Sequence, residues 1–325
     1  MTMVKPKWAW LDGDFVAWDD AKIHIHSNCV LRGTNVFEGV RAYWNEEHSD
    51  LYAFRMPDHM TRLAQSMKIL RIALPYSLQV LADASMELLR RCEYREDVHF
   101  RPTVYVGESE DNFGIDPLST TIGAFIVALP RPRRKAVETG IHVSVSSWQR
   151  ISDLTIPPRA KVGANYINSR MAIVQAKVDG YDSTVILNER GKVSELPTSC
   201  LMMVRHNRLV TPPLTDNILE SITRETIMLL ARDELGLAVE ERSVDRTELY
   251  VADELFACGT AEEVTPIVSV DRYQIGEGKR GQITKAIQEL YGAMVRGEIA
   301  KFKQYLNPTY RAPDITELSA SSRVG

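Results

Sequence analysis

Arg159-Ala160-Lys161-Val162-Gly163-Ala164-Asn165-Tyr166-Ile167-Asn168-Ser169 sets one lysine among small residues, just ahead of a run over 171–178 with helical spacing. Most lysines are solvated surface cations. Lys161, however, has Val162, Gly163 and Ala164 beside it, and such neighbours allow an amine to be withdrawn from water. Desolvation disfavours the ammonium form and leaves a better nucleophile. A nucleophilic lysine amine can form a Schiff base with an aldehyde.

Around this stretch the second half of the chain alternates strands and helices. An alternating strand at 141–147 and the Pro157-Pro158 pair lead into it, and a helix over 168–178 leaves it, ending at Gly180. A strand at 184–187, a turn at 188–191, Glu195, and short strands at 201–204 and 209–210 follow. Leu219-Glu220-Ser221-Ile222-Thr223 then opens a helix running to about 235. A helix start offers unpaired amides and the positive end of a dipole, which suit a phosphate, although Ser or Thr there is also an ordinary N-cap. The strand from 255 breaks into a turn of small residues, Gly259-Thr260-Ala261, whose amides and hydroxyl could hold an anion. Gly276-Glu277-Gly278-Lys279-Arg280-Gly281 matches G-x-G-x-x-G formally. No βαβ unit follows it, so it is read as a turn before a last helix over 282–296.

The first half begins with short strands. Asp12-Gly13 is a hairpin signal between 8–11 and 15–18, and 22–26 alternates like a half-buried strand carrying His24 and His26. No third ligand stands near those histidines in sequence, so they are read as structural or surface residues and no metal is expected. A β-rich stretch over 36–43 has Gly39 inside it, marking a bulge or a close approach. Met60, Leu63, Met67 and Leu70 recur at helical spacing after Pro57-Asp58; Arg62 lies off that stripe and locally reads as a surface arginine. A helix over 78–92 precedes a strand over 99–106, where His99, Arg101 and Thr103 share one side. The strand 122–129 is apolar enough to be buried on both faces.

Pro130-Arg131-Pro132-Arg133-Arg134-Lys135 is all proline and base, which suits a linker and no regular element. The expected division is a small N-terminal domain over 1–129, an interdomain loop over 130–138 and a larger domain over 139–325. Ligands favour domain interfaces, so Arg131, Arg133 and Arg134 are candidates for an anionic substrate. The 325 residues, 44% hydrophobic and 25% charged with net charge −4, fit a soluble globular protein and give no support to nucleic-acid or membrane partners. Four dispersed cysteines without C-x-x-C suggest reduced thiols in the cytoplasm, and the N-terminus lacks the apolar run of a signal peptide.

Lys161 with Asn165-Tyr166, Val193-Ser194-Glu195, Ile222-Thr223-Arg224 and Gly259-Thr260-Ala261-Glu262 resemble, in order and spacing, the fold-type-IV pyridoxal-phosphate enzymes. The branched-chain amino-acid aminotransferases are the nearest look. Val36-Phe37-Glu38-Gly39-Val40-Arg41, His59-Met60-Thr61-Arg62-Leu63 and Phe100-Arg101-Pro102 agree with it. The resemblance implies a fold with a small α/β domain and a larger pseudo-barrel domain, and pyridoxal 5′-phosphate as cofactor. It implies that Lys161 carries the cofactor as a Schiff base and shuttles the substrate proton. Glu195 would pair with the ring nitrogen, Tyr166 would contact the phenolic oxygen and Leu219 would pack on the ring. Arg62, Ile222, Thr223 and Thr260 would hold the phosphate. Thr260 and Ala261 would take the substrate carboxylate, and Arg101 the second carboxylate of glutamate or 2-oxoglutarate. Phe37 and Arg41 would line the substrate site, and a homodimer would complete it.

The chain departs from the branched-chain pattern at Arg32 and His99, where tyrosines are usual, at Glu195-Leu196-Pro197-Thr198-Ser199-Cys200, at Ser221 and in the basic linker. These changes lead us to expect a more cationic pocket and a ping-pong transaminase with altered preference. The alternatives are an (R)-selective amine or D-amino-acid transaminase and a lyase acting on aminodeoxychorismate.

Overall fold

The computed structural model describes residues 5–311 apart from 112, 115, 117 and 118, so the first four residues and the tail from 312 lie outside the described residues. Two eight-stranded sheets form the frame, and the mixed α/β architecture expected is the one observed. The first is built on the long hairpin of Val98–Ser109 and Thr120–Pro130, flanked by Val40–Asn45 and Asp50–Phe54 on one side and Trp8–Leu11 and Asp14–Ala17 on the other. Asn35–Phe37 pairs with Val98–Ser109 off the main path. The second sheet runs from Ala238–Glu241 through Arg208–Thr211, Cys200–Arg205, Glu254–Gly259, Glu263–Val270 and Ile141–Gln149 to Ser183–Leu187.

Packing follows the side-chain periods. Met60, Leu63 and Met67 of helix Met56–Ile69, with Leu81 and Leu88 of Leu78–Cys92, bury against Val40, Val98, Phe100 and Ile126. In the second sheet successive residues of Cys200–Arg205 serve opposite faces. Met202 and Val204 meet Ile227, Leu230 and Ile287 of helices Ile222–Asp233 and Gln282–Val295, while Leu201 and Met203 meet Val143, Val185 and Ile267.

Local expectations fail where distant structure decides. Residues 22–26 form no strand: Ile25 is 77% exposed, and a short helix, Asn28–Arg32, starts instead at Ser27, whose side chain accepts from the Val30 amide. Thr120–Pro130 buries Ala124, Ile126 and Ala128 on one face, but its other face is only half-buried. The helix after Lys161 begins three residues early, at Asn165. Leu306–Pro308 adds an edge strand to the first sheet, although it falls in the stretch expected to form the second domain. The Gly276–Gly281 run is a turn ahead of helix Gln282–Val295. No helix among the described residues is long and apolar enough to cross a membrane.

The seam between the sheets runs through the lysine stretch. Ala160 and Val162 belong to the core of the first sheet, Val162 bridges Val36, and the Phe37 amide donates to the Lys161 carbonyl at 3.0 Å. Lys161 is therefore fixed at its backbone while its side chain faces the gap.

Candidate active site

The gap is a cleft of ≈ 910 Å³, counting its open mouth, and Lys161 stands in it among residues from both sheets. The Lys161 amine donates to the Tyr166 hydroxyl at 2.9 Å, and the Phe37 ring centroid lies 5.0 Å from it. Tyr166 reaches it because helix Asn165–Val178 starts immediately after the lysine turn.

At one end of the cleft stands Glu195, 5% exposed. Its Oε1 is 2.6 Å from the Arg150 guanidinium, while Oε2 accepts weakly from the Leu219 amide at 3.4 Å. Arg150, itself buried, follows strand Ile141–Gln149 and also donates to the Asn217 carbonyl. Oε1 is thus held by a charged partner, while Oε2 has only the weak Leu219 amide and the Cys200 thiol at 3.7 Å, and Glu195 lines the cleft. Sequence reading missed Arg150, since nothing local separates it from any arginine at a strand end.

At the other end Arg62 is 7% exposed, the reverse of the surface position its helix register suggests. It grips Glu38 with two bonds, 2.8 Å from Nε and 2.6 Å from Nη2, and donates from Nη1 to the Glu220 carbonyl at 2.7 Å. Two of its five N–H donors remain for an anion. Glu38 is fully buried and also meets His59 Nδ1 at 2.7 Å. Burial alone would raise the Glu38 acid, but the Arg62 charge and the bonds from Arg62 and His59 overcome it and hold the carboxyl well below the usual range. Beside Arg62, Ser221 caps helix Ile222–Asp233 by accepting from the Arg224 amide. The amides of Ile222 and Thr223 are the first two of that helix and have no acceptor within it. Ser221 and Ile222 line the cleft; Thr223 is buried, beside the Tyr291 hydroxyl.

Phe37, His99, Arg101, Thr260 and Ala261 also line the cleft. The Arg101 guanidinium stacks 3.7 Å above the Phe37 ring, and its buried Nε has no partner. Gly39 lets His99 approach: a Cβ there would lie 2.8 Å from His99 Nε2. Burial first, and then the charges of Arg101 and Arg131, push the His99 imidazole down to about 3, so at neutral pH it is an uncharged wall. A depressed histidine stabilises the fold above its unfolded value near 6.5, and that stability is lost as pH falls towards 3. The depressed Glu38 acts in the same direction at lower pH. Urea unfolding at pH 6 and 5 is therefore expected to show a steep loss, and His99→Asn to remove about one proton's worth of it, ~1.4 kcal/mol per pH unit. An unchanged slope would contradict a buried neutral His99.

Five residues expected at the substrate lie elsewhere in this chain. Arg32 is exposed at the end of its short helix, bonded to Asn28 at 2.7 Å and to the Phe113 carbonyl. Arg32 stands off the wall and His99 is uncharged at neutral pH; among the described residues the basic side chains that line the cleft without an ion pair are Lys161 and Arg101. Arg41 is buried behind the wall, 3.3 Å from Glu263, 3.5 Å from Asp97 and donating to the Arg131 carbonyl at 2.7 Å. Arg131 is half-buried and Arg133 exposed, and neither lines the cleft; Arg134 is paired with Glu262. Glu263 sits at φ 53, in the left-handed region where a residue with a Cβ costs roughly 1–2 kcal/mol. His24 and His26 stand exposed or half-exposed, 3.1 and 3.7 Å from Glu108. No group of three or more His, Cys, Asp or Glu among the described residues could hold a metal ion.

Residues 35–270 match the family model of amino-transferase class IV. The chain belongs to the class IV aminotransferases. Among curated members, a probable branched-chain-amino-acid aminotransferase of Aquifex aeolicus is 39% identical over 302 residues, 93% of this chain and 96% of that one. The branched-chain amino acid aminotransferase of Thermobaculum terrenum, solved in its PLP-form, superposes with a TM-score of 0.89 at 39% identity over 94% of this chain and 99% of that one. The branched-chain aminotransferase of Thermoproteus uzoniensis, solved with norvaline, gives 0.88 at 40% identity over 94% of this chain and 100% of that one. In this class IV aminotransferase the motif residues Lys161, Tyr166, Glu195, Leu219, Ile222, Arg62 and Thr260 converge on one cleft. Besides Arg150, sequence reading assigned no role to Glu38, though it stands in the quoted Phe37-Glu38-Gly39, or to His59.

Proposed function

We propose that this class IV aminotransferase uses pyridoxal 5′-phosphate to move an amino group from a branched-chain amino acid to 2-oxoglutarate. The carrying observation is the Lys161 amine 2.9 Å from the Tyr166 hydroxyl, between braced Glu195 at one end and Arg62 with a helix start at the other. The residues fit the cofactor: an amine for its aldehyde, a buried carboxylate lining the cleft for its ring nitrogen, and amides with two spare arginine donors for its phosphate. When bound, the cofactor supplies an electron sink for negative charge on the substrate α-carbon.

The protein's residues do the rest. Lys161 would move the proton at the substrate α-carbon. Glu195, held by Arg150, would pair with the ring nitrogen and favour its protonated form, Tyr166 would orient the Lys161 amine, and Leu219 would flank the bound cofactor. Amides of Thr260 and Ala261 receive the substrate α-carboxylate, and Arg101 receives the distal carboxylate of the acceptor. An unpaired cation over an aromatic ring, next to apolar Val162 and Ala261, suits an apolar donor and a dicarboxylate acceptor in turn. This alternation is ping-pong kinetics. The site is completed in a homodimer, and the four free thiols suit the cytoplasm.

Initial rates with 2-oxoglutarate are the test. L-Leucine, L-isoleucine and L-valine are expected to exceed D-alanine and (R)-1-phenylethylamine by at least about tenfold, a difference of ~1.4 kcal/mol in barrier. The reverse order would assign the cleft to D-amino acids or amines; release of pyruvate from aminodeoxychorismate without amino transfer would make it a lyase.

A further inference from the structure

The buried Arg41 is not used by the chemistry above, yet its guanidinium touches three separate parts of the molecule. It stands on strand Val40–Asn45 of the first sheet, donates to the carbonyl of Arg131 in the linker, and pairs with Glu263 of the second sheet. Glu263 closes the hairpin turn that carries Thr260 and Ala261, since it pairs in register with Gly259. Glu263 also holds a left-handed backbone at a position where glycine or asparagine is ordinary. The glutamate at this position has its carboxylate 3.3 Å from the Arg41 guanidinium. The neighbouring pair Arg134–Glu262 joins the same linker to the same turn, and the Thr265 hydroxyl closes the turn onto the Glu262 carbonyl at 2.7 Å.

We propose that Arg41 is a positioning residue, clamping the Thr260–Ala261 turn to the interdomain linker so that its amides stand ready for the substrate carboxylate before substrate arrives. The proposal rests on reading that turn as the carboxylate site. Its energetic content is preorganisation: a turn already ordered does not have to be ordered by each substrate. Loss of the clamp therefore weakens substrate binding most and leaves the cofactor's anchors at Lys161, Glu195, Arg62 and the helix start in place, Thr260 being the one expected phosphate contact on the turn.

The test compares the full-length holoenzyme with Glu263→Asn, which keeps a residue suited to the left-handed backbone, with Arg41→Met, and with the double variant. KM for leucine and for 2-oxoglutarate, kcat and the dissociation constant of pyridoxal phosphate are measured for each. Glu263→Asn is expected to raise both KM values about tenfold, with kcat and cofactor affinity each within about threefold. The double variant is expected to be no worse than the poorer single one, as coupled residues are. Unchanged KM in Glu263→Asn, or KM, kcat and cofactor affinity declining together, overturns the clamp even if Arg41→Met fails to fold. Absence of leucine turnover in the unsubstituted enzyme overturns the functional reading, and the clamp with it.

Discussion

Lys161→Ala is expected to abolish the absorbance band near the visible edge that appears when pyridoxal phosphate is added, and to lower turnover by a factor on the order of 10⁴, the scale of losing a positioned proton-transfer group. The fold should survive. The side-chain amine meets the Tyr166 hydroxyl and the faces of the Phe37 and Tyr166 rings, while the backbone bonds, from the Lys161 amide to Ser66 and to its carbonyl from Phe37, do not depend on the amine. Cofactor affinity is expected to fall less than turnover, because Arg62, the helix start and Glu195 remain. Absorbance titration and single-turnover rates separate the two. A variant that keeps both colour and rate would place the chemistry on another group.

Arg62→Met is expected to have the largest effect on stability. It leaves the Glu38 carboxylate fully buried with His59 as its remaining partner, and stripping one member from a buried ion pair costs about 3–5 kcal/mol. For a chain of this length that corresponds to a melting temperature lower by roughly 10 °C. The loss should shrink at acid pH, where a Glu38 released from Arg62 takes up a proton and is no longer a buried charge. Cofactor affinity should fall as well, since two donors to the phosphate go with the guanidinium. Thermal unfolding of the apo protein at pH 7 and pH 5 checks the first part, independently of activity. Equal destabilisation at both pH values would mean that lost packing, not the stranded carboxylate, dominates.

How far the sequence revealed the molecule depends on the range of the interactions involved. Helix Leu78–Cys92 and the Asp12-Gly13 hairpin are set by local period and turn chemistry, and both stand where reading placed them. The strand imagined over 22–26 had the right alternation and no sheet edge to join. Arg62 looks superficial within its own helix, and only the fold, by bringing against it Glu38 from the link between strands Asn35–Phe37 and Val40–Asn45, makes it a buried anchor. Arg150 and the Arg41–Glu263 pair are legible only in three dimensions, because each joins residues far apart in sequence. The family resemblance supplied what local pattern could not: which lysine, which carboxylate and which helix start belong together. It also carried over Arg32 and Arg41 as substrate contacts, which the geometry of this chain does not give.

The account turns on one amine. Borohydride treatment of the holoprotein, followed by proteolysis and mass mapping, would fix the carbon–nitrogen bond between cofactor and protein and show which side chain carries it. The added mass is expected on the peptide containing Lys161. Finding it on a different lysine, or finding no modified peptide in a preparation that is coloured and active, would contradict the account.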